Sequence, residues 1–355
     1  MKIVHWAPFA PSRCGLYEAA RDCVRADLMR GHEVLFCDTG PSPKAGEREP
    51  PLVGAMDPRG GWVLETSAWA DATDADLWVC HDGVPDQEAA RCQVPMIWLI
   101  HGRPYAAFRL EQDSLGLAAP YTVIRNLGQW PRVKALVTMW DEHLPHWELV
   151  VPEGKLHSTV DPPVDGGRFL RQGKVRELTR AGKYNLLVCD SWREDVDVYE
   201  TAVACYHAAK RRPGTRVHLW AVEPGKDEGC WQHLYRALDE IGALGEVHAR
   251  EGSFDEVYRA MSAVVSPHSI GVRTITEALC CGTPVVAASG CRYTPYTGDP
   301  RNVLDMADAI VRCLDDVADG RDETDASPFG LELFGDRMET IYQGAVGASL
   351  EVSYG

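Results

Sequence analysis

Short apolar strands alternating with helices recur twice along this chain, and that alternation constrains its fold more than any other feature. The first series opens with a strand, "KIVHWA", followed by the helix "LYEAARDCVRADLMRG" and a second strand, "HEVLFCDTG". Leu16, Ala19, Ala20, Cys23, Val24, Ala26, Leu28 and Met29 approximate a helical stripe that Gly31 stops. Short strands "DLWVCHD", "PMIWLIHG" and "ALVTMW" follow. A second series begins near Tyr184 with strands "YNLLVCDS", "RVHLWAVEP", "EVHAR", "AVVSP" and "PVVAAS", each separated from the next by a helical stretch. Between the series lies the polar, Pro- and Gly-bearing "VDPPVDGGRFLRQGKVRELTRAGK". Such alternation predicts an α/β fold: two Rossmann-like, doubly wound parallel-sheet domains facing across a cleft. The expected boundaries are 1–166, 167–328, and a C-terminal helix over 329–355 whose docking the pattern leaves open. "DDVADGRDETDASP" reads as an acidic surface loop. Functional groups on such sheets gather at the strands' C-terminal ends, where His81 and His101 stand.

Composition narrows the function. A chain of 355 residues, 45% hydrophobic and 25% charged, suits two globular domains. No apolar run reaches the roughly 18 residues of a bilayer span, and "MKIVHWAPFA" is too short and polar for a signal peptide. A cytoplasmic protein without a transmembrane segment is expected. The formal net charge of -16 argues against a long basic face for duplex DNA and against an anionic membrane surface. Twelve scattered cysteines, with no C-x-x-C pair or Cys/His metal spacing, read as reduced core thiols. No metal and no cofactor is expected.

The chemistry gathers in "SPHSIGVRTITEALCCGTPVVAASG", a strand end, a polar loop, a helix, a Gly stop and a further strand. His268, Ser269, Arg273, Thr274 and Glu277 cluster at the start of its helix. A helix N-terminus carries orphan amides and partial positive charge, so it seats phosphate. The pattern suggests a nucleotide-linked ligand.

The order of motifs resembles the retaining glycosyltransferases of the GT-B fold, especially the large GT4-like family. "SFDEVYRAMSAVVSPHSIGVRTITEALCCGTPVVAASG" is similar to that family's donor-binding segment. "PSRCGLYEAARDCVRADLMRGHEV" resembles its first Gly loop and helix, "PMIWLIHG" its strand with an active-site His, and "VDGGRF" its signature before the second domain. The opening also has a flavour of phage-encoded members.

The resemblance implies roles position by position. Glu277 matches the glutamate that holds the nucleotide ribose; its bland alternative is a first-turn Glu stabilised by the helix dipole. In the family another glutamate, separated from this one by seven residues and preceding it, touches donor-sugar hydroxyls, and here its position holds Ser269, a departure that puts the donor sugar in doubt. Gly271 would present backbone amides, and Arg273 and Thr274 would stabilise a leaving diphosphate; against this, Thr274 can be an N-cap and Arg273 simply solvated. Arg193 is the cation matched to the diphosphate grip after the second domain's first strand. His101 would hydrogen-bond the donor sugar, or be a satisfied structural His. Gly15 would let the first loop approach a phosphate, or serve turn geometry. Arg13, Tyr17 and His81 are acceptor-side candidates.

The implied activity is metal-independent transfer of a sugar from a nucleoside-diphosphate sugar, with retention of configuration. The acceptor stays open among a protein, a modified nucleobase, a lipid-linked sugar and a small molecule. Two other readings of the fold are a sugar-nucleotide epimerase, which needs acid/base carboxylates in the cleft, and a catalytically silent nucleotide-binding module.

Overall fold

The structure is a computed structural model describing residues 1–7, 15–38, 63–65, 74–81, 93–101, 132–149, 151, 154–158, 161–190, 197–220, 228–248 and 254–352. The chain divides into two units, Met1–Pro163 with Phe329–Gly355, and Val164–Pro328. Both are built on fully parallel sheets.

In the first unit the strands β1 (Lys2–Ala7), β2 (Glu33–Asp38), β3 (Val63–Glu65), β4 (Leu77–His81), β5 (Met96–Ile100), β6 (Val133–Thr138) and β7 (Leu156–Ser158) form a sheet. Its order is β3-β2-β1-β4-β5-β6-β7. Side chains alternate along each strand, so each face collects one half of the pattern. Val4, Trp6, Trp78, Cys80, Met96, Trp98 and Ile100 make one buried face, with the Trp6 and Trp78 rings 4.8 Å apart. The opposite face carries Ile3, His5, Leu77, Val79, His81, Ile97 and Leu99, all buried. A sheet buried on both faces explains why its strands read as continuous apolar runs.

Helix α1 (Gly15–Met29) buries Ala19, Ala20, Cys23, Val24 and Ala26 and ends at Gly31, whose φ of 81° suits glycine. The C-terminal helix, Leu331–Val352, returns to this unit and packs on α1, β5 and β6. The sequence left this docking open because the contacts that fix it lie some three hundred residues away along the chain, as in the bond between Tyr342 and Asp27.

In the second unit β8 (Tyr184–Val188), β9 (Thr215–Trp220), β10 (Leu244–His248), β11 (Ala263–Val265), β12 (Val285–Ala288) and β13 (Thr297–Gly298) run in the order β10-β9-β8-β11-β12-β13. After the short helix α2 (Leu144–Trp147) of the first unit, the second contributes α3 (Val198–Arg211), α4 (Glu228–Glu240), α5 (Phe254–Arg259), α6 (Arg273–Cys280) and α7 (Val303–Asp319); the C-terminal helix is α8. Helices α3 and α7 pack together over Leu186, Val188, Val265 and Val286. Among the described cysteines no disulfide forms, and Cys23, Cys80, Cys205 and Cys313 are core residues.

The segment read as an acidic loop is a correction. Asp315, Asp316 and Asp319 belong to the last turns of α7, and only the chain beyond Gly320 leaves the helix. Asn302 caps the helix by accepting from the Asp305 amide, and Gly320, at φ 64°, closes it.

Candidate functional site

Each sheet reverses its winding direction beside its first strand, between β1 and β4 and between β8 and β11. In doubly wound sheets ligands bind outside the strands' C-terminal ends at this switch point. The side chains collected there are buried and polar.

In the second unit Asp190 follows β8 and His268 follows β11. Asp190 is only 6% exposed; Thr274 donates to its Oδ1 at 3.0 Å and His268 Nε2 lies 3.5 Å from the same oxygen. Its Oδ2 is buried and has no hydrogen-bond partner among the described residues. A buried carboxylate oxygen left so is costly, which marks it as a candidate acceptor for a ligand.

Glu277 lies one turn into α6 and is buried. Arg273, four residues earlier, donates from Nε to Glu277 Oε1 at 2.7 Å, and Tyr258 donates to Oε2 at 3.3 Å. Burial, and next to it the neighbouring Cys189, Glu277 and Asp190, push the Tyr258 hydroxyl well above the usual phenol range, so it remains a donor. Burial likewise raises the Cys189 thiol. The guanidinium of Arg273 also sits 5.8 Å from the Phe169 ring centre. At the helix start the N-cap is Val272, which has no side-chain oxygen for the first amides. Thr274 is therefore not the N-cap, and its hydroxyl turns to Asp190 instead.

In the first unit the strand register gathers three histidines. His5 shares a face with Val79, its partner on β4, and His81 stands two residues further along; His81 pairs with Leu99, and His101 stands two residues beyond that. Each step of two returns to the same face. The three rings form a line: His5 Nδ1 to His81 Nε2 is 2.9 Å, and His81 Nδ1 to His101 Nε2 is 2.7 Å. At the other end His5 Nε2 lies 2.8 Å from Asp27 Oδ2, to which Tyr342 of α8 donates at 2.9 Å. Burial, then the neighbouring His101 and His5, hold His81 well below the ordinary imidazole range, so it stays neutral.

No family model matches the chain, and no curated protein does. Solved structures match its whole length. A glycosyltransferase from Rickettsia africae superposes with a TM-score of 0.63 at 12% identity, over 97% of this chain and 98% of the other. Sucrose-phosphate synthase from Thermosynechococcus elongatus gives 0.65 at 16%, over 98% and 99%. Anabaena HepE in complex with UDP-glucose gives 0.63 at 12%, over 99% and 100%. The fold is GT-B.

Within this GT-B chain the residues expected from sequence fall into groups. Glu277, Arg273 and Thr274 come together with Asp190 at the second switch point. Ser269 and Gly271 lie in the turn before α6; Gly271 is buried, and a Cβ there would stand 3.0 Å from the Tyr293 ring. His101 follows β5 in the first unit, joined to His81. His81 is fully buried, with His5 and His101 at its two ring nitrogens. Gly15 is the first residue of α1, and Tyr17 stands in its first turn. Arg13 and Arg193 lie outside the described residues. Asp190, Tyr258, His5 and Asp27 were not singled out from sequence. For Asp190 the signal was present, a carboxylate closing the strand "YNLLVCDS".

Proposed function

We propose that this chain transfers a glycosyl group from a nucleoside-diphosphate sugar to an acceptor, with retention of configuration and without a metal ion. The observation that carries the proposal is the buried carboxylate pair at the GT-B second unit's switch point: Asp190 with one oxygen unpartnered, and Glu277 braced by Arg273 and Tyr258. A carboxylate that accepts from two vicinal ribose hydroxyls is sound chemistry for Glu277. Anabaena HepE, with the same fold, is seen with UDP-glucose.

The start of α6, with Gly271 and Ser269 before it, faces the diphosphate, whose growing charge the helix amides and Arg193 stabilise. Helix and guanidinium together do the work a divalent cation would otherwise do. His101 meets a hydroxyl of the donor sugar, and Arg13 and Tyr17 belong to the acceptor side. Departure and attack on one face retain the configuration, with the leaving phosphate taking the acceptor's proton.

Calorimetry and thermal shift with UDP, GDP, ADP and TDP, then with sugars of the best base, test the donor site. One diphosphate should raise the melting temperature, and one of its sugars should raise it further. Silence from all four would sink the reading and favour a protein that has lost its donor site. Product anomeric configuration by NMR tests retention.

A further inference from the structure

Asp190, just beyond the end of β8, is clamped at one oxygen and unpaired at the other. The Thr274 hydroxyl, in the first turn of α6, donates to Oδ1 at 3.0 Å, and His268 Nε2, in the turn after β11, lies 3.5 Å from the same atom. Two elements of the second unit thus fix the carboxyl group. Its Oδ2 is buried without a hydrogen-bond partner among the described residues, in a side chain belonging to a residue only 6% exposed. Buried polar atoms are mostly paired, so a partner outside the described chain is expected there.

The chemistry of a carboxyl oxygen narrows that partner. An ionised diphosphate only accepts, and an ammonium or an amide N–H only donates, so each fits one protonation state of the carboxyl. A hydroxyl donates and accepts, and it pairs with Oδ2 in either state. The choice of a hydroxyl therefore does not depend on the charge of Asp190. Position narrows it further. Thr274 precedes Glu277 by three residues, about 4.5 Å along a helix that rises 1.5 Å per residue, so Asp190 is tied to α6 nearer its start than the carboxylate proposed for the ribose. In a nucleoside-diphosphate sugar with its ribose at Glu277 and its diphosphate at the start of α6, the remaining hydroxyls are those of the sugar.

We propose that Asp190 is a specificity-determining residue that pairs through Oδ2 with a hydroxyl of the donor's glycosyl group, and so selects sugars that carry a hydroxyl at that position. The proposal rests on the donor reading above. A site built to bind a hydroxyl rejects the analogue lacking it strongly, because its own buried polar atom is then left unpaired.

Calorimetry on the full-length wild type and on Asp190→Leu, with UDP, GDP, ADP and TDP and then with the glucose and galactose conjugates of the best base, tests it. A residue that only braces α6 through Thr274 would, when replaced, weaken the diphosphate and its sugar conjugates alike. Asp190→Leu should instead bind the diphosphate as the wild type does and lose about ten- to hundredfold in affinity for a sugar conjugate, as for loss of a buried hydrogen bond. An equal loss for both ligands makes Asp190 a brace and overturns the proposal. Unchanged affinity for both conjugates also overturns it, leaving Oδ2 to a trapped water while the nucleotide site stands. If no diphosphate binds the wild type, the donor reading fails and the proposal falls with it. Should Asp190→Leu not fold, carboxyl carbon-13 spectra of the aspartate-labelled wild type decide, with the signal assigned by Asp190→Asn. That signal should move further with a sugar conjugate than with the diphosphate, and identical positions would overturn the proposal.

Discussion

Glu277 is the residue on which the donor site turns, because its charge serves both Arg273 and the proposed ribose. Glu277→Gln keeps an oxygen for Tyr258 but removes that charge. Hydrogen bonds to charged groups contribute about 1.5–3 kcal/mol, so nucleotide affinity should fall about ten- to hundredfold in calorimetry, and unchanged affinity would count against the site. His218 carries a second prediction. The Glu246 amide donates to its Nδ1 and its Nε2 bonds Asn185 Oδ1, while burial holds its pKa down to about 4 against an ordinary 6.5. The unfolded chain then binds the proton more readily, so the stability this site contributes is whole above pH 6.5 and is lost as pH falls towards 4. At about 1.4 kcal/mol per pKa unit the loss comes to about 3 kcal/mol. Urea midpoints of wild type and His218→Gln between those pH values should converge in acid; parallel curves would refute the assignment. Sequence made Glu277, Arg273 and Thr274 legible because one helix turn joins them. Their partner Asp190, more than eighty positions away, became visible only through the sheet.

At the scale of elements, what held in the sequence was periodicity, and what failed was charge read in isolation. Helix α7 carries Met306, Ala307, Ala309, Ile310, Cys313 and Leu314 on its buried face, the spacing of an amphipathic helix, yet its acidic outer face masked the pattern at the C-terminal end. The stop after α6 was legible, and the structure gives its reason. Gly282 has φ 75°, and a Cβ there would stand 2.7 Å from Arg171 Cγ. The left-handed backbone alone costs a non-glycine residue about 1–2 kcal/mol. Gly282→Ala should therefore lower stability by at least that amount in urea unfolding while keeping the helical circular dichroism; a neutral variant would show that the turn relaxes freely.

At the scale of the molecule, both units wind the same way, and the chain returns to the first unit only through α8. No local pattern announces that return, since it depends on which apolar face is left uncovered once the first sheet has formed. Phe329, Leu331, Phe334, Met338 and Tyr342 are all buried in it. At about 1.5–3 kcal/mol for each large apolar side chain, their burial amounts to on the order of 10 kcal/mol. That is comparable with the whole stability of a typical domain, about 5–15 kcal/mol. The first unit should therefore not hold its fold without α8, whereas the second is one continuous segment, Val164–Pro328, with its own core over α3 and α7. A chain ending at Pro328 should lose hydrogen-exchange protection across β1, β4 and β5 and keep it across β8, β9 and β11. Full protection of the first sheet in that chain would mean that α8 is a covering and not a part of the core.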